Sequence, residues 1–266
     1  MITPGRIVAF VAGIVFAAAP SLVAIQAMRN ATATVTPATV ATAQTPVSGE
    51  FIRTYLLNNP EVIRDAFFEL ERRQAEAEKK QRIAQISDNE SILFNSTRQA
   101  VLGNPEGNVT LVEFMDYNCG YCKRAHGDMN RLIEEDPNLR VVLKEFPVLG
   151  QPSVEAAHVA AAVNLVAPES YAAFHDKLMT SKGRANGQKA IAAAKEIGIE
   201  DDVLAAALKD PEVGATIEEA YGLAKTLGLT GTPAYVVGDE VVFGAVGFDE
   251  LRAKIKAVRE CGSTSC

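Results

Sequence analysis

The tetrad Cys119-Gly120-Tyr121-Cys122 sits between an apolar run, Val109-Thr110-Leu111-Val112-Glu113-Phe114, and a segment with helical character from Lys123 to Glu135. A strand that passes through two cysteines directly into a helix restricts the fold to architectures that expose a helix start at a strand end. A thiol there lies among free backbone N–H groups at the positive end of the helix dipole. That setting favours thiolate, the nucleophile of disulfide exchange. The spacing predicts that Cys119 faces solvent while Cys122 lies about one turn deeper, within reach of a disulfide. Cys119 is therefore the expected nucleophile and Cys122 the resolving thiol. Gly120 and Tyr121, between them, are expected to tune the redox poise.

The remaining cysteines, Cys261 and Cys266, form a second local pair at the other end of the sequence. Two clusters are not the distributed framework of a disulfide-stapled mini-protein. A zinc site needs four ligands at close quarters, and the two pairs are far apart in sequence, so no metal site is expected from all four. The 119/122 pair alone could still hold Cu(I), which prefers soft sulfur ligands. A small local disulfide, closing around Gly262-Ser263-Thr264-Ser265, is the expectation for 261/266. It would add little stability because its loop is short. A second redox pair, an intermolecular link and metal binding stay open.

The chain has 266 residues, 48% hydrophobic and 22% charged, which is ample for a buried core. Its net charge of −7, with no basic stripe interleaved with aromatics, argues against a nucleic-acid partner. Residues 1–28 carry Arg6 and a mostly apolar stretch from Ile7 to Ala27, and read as a signal peptide or a membrane anchor. A buried core helix is the blander alternative, with no amphipathic pattern to support it. Export in either form predicts a periplasmic location. Residues 29–49 read as a disordered Ala/Thr-rich linker with a reach of roughly 25 Å.

Residues 50–100 read as a helical stem. Asn59-Pro60-Glu61 predicts a helix start with Asn59 as cap. Ile63, Phe67 and Leu70 continue at the same spacing into Gln74, Ala77, Gln81 and Ala84. Such a weak seam fits an oligomerisation stem, or a solvated helix lying on its own domain. Residues 101–266 read as one α/β domain. Strands are predicted at Thr110 to Phe114, Arg140 to Phe146, Ala234 to Val237 and Val241 to Phe243, the last two forming a hairpin around Gly238-Asp239. Helices fill an insertion over about 148–229, and a last helix runs from Phe248 to Arg259.

This order resembles a thioredoxin fold with a helical insertion, and specifically the DsbA-like family. Met115-Asp116-Tyr117-Asn118 around the CxxC, with Gly231-Thr232-Pro233, carry the likeness. The stem segment Tyr55-Leu56-Leu57-Asn58-Asn59-Pro60-Glu61-Val62-Ile63 is similar to that of the suppressor-of-copper-sensitivity C subgroup, which is exported and includes trimers. The resemblance implies that Pro233 is a cis-proline beside the dithiol, with Thr232 facing Cys119 and the substrate. It implies that Glu113 is an acid buried beneath the dithiol and that Lys144 is its basic partner. The alternation Leu111, Glu113, Met115 supports burial of Glu113. For either side chain the other reading is one pointing to solvent. A homo-oligomer, with a trimer as the expected form, follows from the subgroup.

The expected activity is that of an exported protein-disulfide oxidoreductase that forms, reduces or isomerises disulfides. Strongly oxidising DsbA enzymes carry Pro-His between the cysteines. Gly120-Tyr121 lacks that imidazole, and the reading leans to isomerase. The expected partners are cysteine-containing exported proteins and a membrane thiol-disulfide redox partner, with no cofactor. A Cu(I)-binding, copper-tolerance module using Cys119 and Cys122 is the alternative, and a non-enzymatic oligomeric scaffold is a third reading. His126, His158 and His175 are expected to be structural.

Overall fold

The computed structural model describes residues 48–266; the leader and most of the linker expected above lie outside them. The chain divides into two compact units, ending and beginning at Asn58 and Asn59. In the first, the helix α1 (Gly49–Asn58) exposes Phe51, Ile52 and Leu57. No helix among the described residues is long and apolar enough to cross a membrane.

The second unit begins with α2 (Glu61–Asp88) and α3 (Glu90–Asn95). Pro60, not Asn59, occupies the N-cap position of α2, with no side-chain cap hydrogen bond. The expected seam is open to solvent: Ile63 is 57% and Phe67 56% exposed. Polarity here is locally compensated, since Glu69, Arg72, Arg73 and Glu76 pair along the helix at three- and four-residue spacing. Only the last turns change character. Ile86 and, in α3, Leu93 are buried against the sheet, and the Arg82 guanidinium lies over the Phe243 ring. The packed domain therefore takes in residues from the segment read as stem, because apolar side chains resume where the helix meets the sheet.

Five strands form one sheet in the order β1-β3-β2-β4-β5: β1 (Ala100–Gly103), β2 (Val109–Met115), β3 (Leu139–Glu145), β4 (Ala234–Val237) and β5 (Glu240–Phe243). β2 and β3 are parallel, joined through α4 (Gly120–Glu135), and every other pairing is antiparallel. β1 is the strand that sequence patterning overlooks. It is four residues long, too short for a period to be read, and it exists because Ala100 to Gly103 can pair with β3 at the sheet edge.

Alternation sorts the side chains. Leu111, Met115, Val141, Leu143, Tyr235 and Val237 join one core, with α4 and α10 (Phe248–Cys261). Val112, Phe114, Val142, Ala234 and Val236 join a second, beneath the end of α2, α3 and the last turns of α9 (Pro211–Thr226). In α4, Cys122, Ala125, Met129 and Leu132 recur at three and four residues and are all buried. Between β3 and β4 the insertion adds α5 (Gln151–Val166), α6 (Tyr171–Thr180), α7 (Gly187–Glu196) and α8 (Asp201–Ala207) before α9. α5 is its axis: Ala156, Ala157 and the run Val159 to Val163 are buried, and small alanines let the neighbouring helices approach on several sides.

The β4–β5 turn leaves no room for a side chain. Gly238 has φ +54°, and a Cβ there would lie 2.6 Å from a Val258 methyl. Gly238→Ala is expected to cost about 1–3 kcal/mol through backbone strain and overpacking. Chemical denaturation checks this, and an unchanged midpoint would show that α10 yields without cost.

Candidate active site

Strand β2 ends at Met115, and Asp116-Tyr117-Asn118 carries the chain to Cys119, the N-cap of α4. Asp116 is almost wholly buried. Its carboxylate accepts four hydrogen bonds, from Asn118 N (2.7 Å), Ser153 Oγ (2.8 Å), Val148 N (2.8 Å) and Leu149 N (2.9 Å). Asn118 in turn grips the insertion: its amide donates to Ala185 O at 2.8 Å and its oxygen accepts from Ala185 N at 2.7 Å. The loop holding the nucleophile is thus bolted to the exit of β3, the first turn of α5 and the loop before α7. Asp116 and Asn118 enter the sequence reading only within the segment that carries the family likeness, with no role assigned to either. The available signal was the Asp-x-Asn spacing, which favours a side-chain-to-backbone turn.

Both site cysteines are free thiols. Cys119 is less open than its position predicts, retaining 6% exposure, while Cys122 has none. The difference comes from the facing segment: the Thr232–Pro233 peptide is cis, and Thr232 O accepts a hydrogen bond from Cys119 Sγ at 3.2 Å. Cys119 Sγ also accepts from Cys122 N at 3.4 Å. The Cys119 thiol is pulled down to about 5 by the Cys122 thiol, the Thr232 side chain and the backbone N–H groups of Cys122 and Tyr121, against the opposing effect of burial. Cys122 is pushed well above the ordinary thiol value by its bond to Cys119, by burial and by the charge of Glu113. Thus the missing imidazole does not leave Cys119 an ordinary thiol. Tyr121 is 61% exposed, with the Arg124 guanidinium over its ring at 4.2 Å.

Glu113 lies on the dithiol side of the sheet, fully buried. Burial pushes its carboxyl up to about 8, with the Tyr235 side chain opposing and the Cys119 charge adding. The Tyr235 hydroxyl, on β4, leans towards it without completing a full hydrogen bond. Lys144 is not its partner. It pairs in register with Phe114 and therefore points to the other face of the sheet. There its ammonium donates to Ile92 O at 2.7 Å and faces Glu219 at 3.4 Å. The parity of β3, invisible without the register, separates the two. Glu113 and Thr232 are brought to the dithiol, and Lys144 is not.

A second buried polar cluster underlies the loop. Glu145 Oε1 accepts from Tyr171 at 2.6 Å and from Tyr117 at 3.1 Å, and Tyr117 also meets His175 Nδ1 at 3.2 Å. Burial pushes Glu145 up to about 8 and His175 down to about 3, so at neutral pH the cluster is uncharged. His126 bonds Asp176 at 2.9 Å, and His158 bonds Val154 O at 2.8 Å. Among the described residues no group of three or more His, Cys, Asp or Glu is arranged to hold a metal ion. Cys261 and Cys266 form a disulfide at the end of α10, where Asp239 accepts from Ser263 and Thr264.

Two outcomes follow. The ultraviolet absorbance of the thiolate and the rate of alkylation should both titrate near pH 5, and Cys119→Ser should remove that titration. Because the folded value lies below the ordinary 9, this group's contribution to the stability of the reduced protein is complete above 9 and is lost as pH falls through 5. Lys144→Met should leave the titration in place. It should lower stability by about 1–3 kcal/mol, since Glu219 and the Ile92 carbonyl lose a partner. A shifted Cys119 midpoint in that variant would couple Lys144 to the dithiol after all.

Comparison with known proteins agrees with this fold. Residues 110–256 match the model of the DSBA-like thioredoxin domain, and residues 49–77 that of the copper resistance protein ScsC N-terminal domain. A thioredoxin-like oxidoreductase from Silicibacter pomeroyi is 42% identical, with 65% of this chain and 99% of that one covered and a TM-score of 0.62. The catalytic domain of Proteus mirabilis ScsC is 28% identical, over 66% of this chain and 97% of that one, with a TM-score of 0.61. Disulfide bond formation protein D of Bacillus subtilis is 26% identical over 59% of this chain and 76% of its own length. A Na(+)/H(+) antiporter of Salinispora arenicola also matches at 25% identity, but the chain spans only 24% of that protein's length. With a CxxC at a helix start, facing a cis-proline loop in a thioredoxin fold with a helical insertion, the chain belongs to the DsbA-like family of thiol-disulfide oxidoreductases.

Proposed function

We propose that the protein exchanges disulfides in exported client proteins through Cys119 and Cys122, with net isomerisation as its main activity. The observation that carries the exchange chemistry is the placement of the two thiols: Cys119 at the N-cap of α4, bonded to Cys122 N and facing the cis Thr232–Pro233 peptide, with Cys122 buried one turn on, a setting that draws Cys119 towards thiolate and Cys122 towards thiol. The Cys119 thiolate attacks one sulfur of a client disulfide, forming a mixed disulfide and expelling the other client sulfur as thiolate. In isomerisation that thiolate, or another in the client, attacks back on the client sulfur and frees Cys119, with no net electron transfer. If resolution stalls, Cys122 attacks Cys119 and releases a reduced client. Glu113, protonated at neutral pH, acts as the proton exchange partner of Cys122. Thr232 and Pro233 present backbone to an extended client segment.

The isomerase lean is supported by the exposed apolar residues of α2, including Phe68 and Leu70, which suit assembly of several copies into a trimer. An oligomer can present several dithiols to one misfolded client. The second reading, net oxidation, is favoured by the low Cys119 value, because a stabilised thiolate makes its disulfide the stronger oxidant. A location outside the cytoplasm is supported by the leader-like sequence of residues 1–28 and by the exposed Cys261–Cys266 disulfide. A copper-tolerance role rests on soft sulfur chemistry at Cys119 and Cys122 alone.

Reactivation of scrambled ribonuclease and reduction of insulin test the reading. Both should be lost in Cys119→Ser, while Cys122→Ser should accumulate a mixed disulfide with client. Full activity of Cys119→Ser sinks the assignment. Phe68→Glu/Leu70→Glu should lower the mass seen by light scattering and reduce isomerisation more than insulin reduction. Cu(I) titration of the reduced protein against Cys119→Ser/Cys122→Ser decides the copper role.

A further inference from the structure

In a chain of net charge −7, the ground beside Cys119 is strongly basic. Lys123 and Arg124 follow the dithiol on α4, and Lys182 and Arg184 stand on the loop between α6 and α7, with Lys189 on the first turns of α7. None of the five joins an ion pair among the described residues. Four of the five heads are held by carbonyls or a ring instead. Lys123 Nζ donates to Ser181 O at 2.9 Å, Arg184 donates to Leu149 O at 3.1 Å, Lys189 Nζ donates to Lys182 O, and Arg124 covers Tyr121. The carboxylate of Glu155 is occupied with Gly187 N.

Two of these cations, Lys123 and Arg184, line a shallow pocket of about 440 Å³ with Asn118, Leu149, Ser181 and Gly183, and Lys182 and Lys189 line a neighbouring pocket that shares Ser181. The position of the first pocket relative to the nucleophile is fixed. Asn118 immediately precedes Cys119, and its side chain holds Ala185, the next residue after Arg184, through two hydrogen bonds. The charge is crowded as well as close: the Lys123 ammonium is held below its ordinary value first by burial and then by the charge of Lys189. Natural surfaces offset such crowding with acids, but here Glu196, which lines the neighbouring pocket, is paired with Lys177 and Glu155 is held by Gly187 N, so neither forms an ion pair with these cations. An anionic partner would relieve it.

We propose that this basic pocket is a client subsite, and that it selects peptide segments carrying Asp or Glu beside the cysteine to be exchanged. The inference rests on the disulfide-exchange reading above and names its substrate class. Long-range attraction raises encounter rates of acidic segments, and the pocket fixes which side of the client cysteine the acid occupies. The covalent step is unchanged: the Cys119 thiolate forms the new S–S bond while the client's partner sulfur leaves as thiolate.

The test uses the full chain and two disulfide peptides, alike except that aspartates or lysines flank the cysteine. The acidic peptide should be reduced with a kcat/KM about 10-fold higher than the basic one, and the preference should fade as salt rises to about 1 M. Lys182→Glu/Arg184→Glu should invert the preference, and the milder Lys182→Gln/Arg184→Gln should abolish it. Turnover of both peptides at equal rates, or a preference that survives in the charge-reversed variant, overturns the subsite. Failure to turn over either peptide overturns the exchange reading with it.

Discussion

The carboxylate of Asp116 is the interaction on which the active-site end depends, because four donors from three separate stretches of chain converge on it. β2, the exit of β3 and the start of α5 meet there, and each would otherwise leave a partly or wholly buried donor without this partner. A buried acceptor that satisfies several donors at once is costly to remove, since every donor then bears its own desolvation penalty. Asn118 extends the same junction to Ala185, so the insertion is joined to the dithiol loop by polar geometry as well as by apolar packing.

That rigid junction lets small electrostatic differences act on sulfur. Cys119 and Cys122 are three residues apart and chemically alike, yet one is drawn towards thiolate and the other towards thiol. The bond between the two thiols favours thiolate at Cys119, which the backbone donors of the N-cap assist, and thiol at Cys122, which burial and the charge of Glu113 reinforce. The same sheet separates two carboxylates by function. Glu113 is kept protonated near the dithiol, while Glu219 on α9 stays below its ordinary value through Ser96, Gln99, Lys144 and Arg98, although burial opposes it.

Much of the fold was legible before the structure. Segments with a clear period or strong punctuation, such as α10 after Gly247 or the β4–β5 turn at Gly238-Asp239, fall within a residue or two of their predicted bounds. β1 was not legible, because four residues at a sheet edge are defined by their partner strand. The Asp116 hub and the Glu145, Tyr117, Tyr171 and His175 cluster were hidden for a similar reason: their members are scattered, and any one of them reads as an ordinary loop or helix residue.

The sequence by itself determined that a dithiol would sit at a helix start, with Gly120 and Tyr121 inside it and Thr232-Pro233 available to face it. Those features are encoded in neighbouring residues and survive translation into one dimension. Tertiary structure decided the rest. Strand register turned Lys144 away from Glu113, since a side chain's face changes with every residue along a strand. The loop at Thr232 covered Cys119, and the insertion brought Arg184 into the pocket that Asn118, the residue before Cys119, lines. Contacts between residues more than sixty positions apart depend on how sheet and helices pack, and no local pattern in the chain records them.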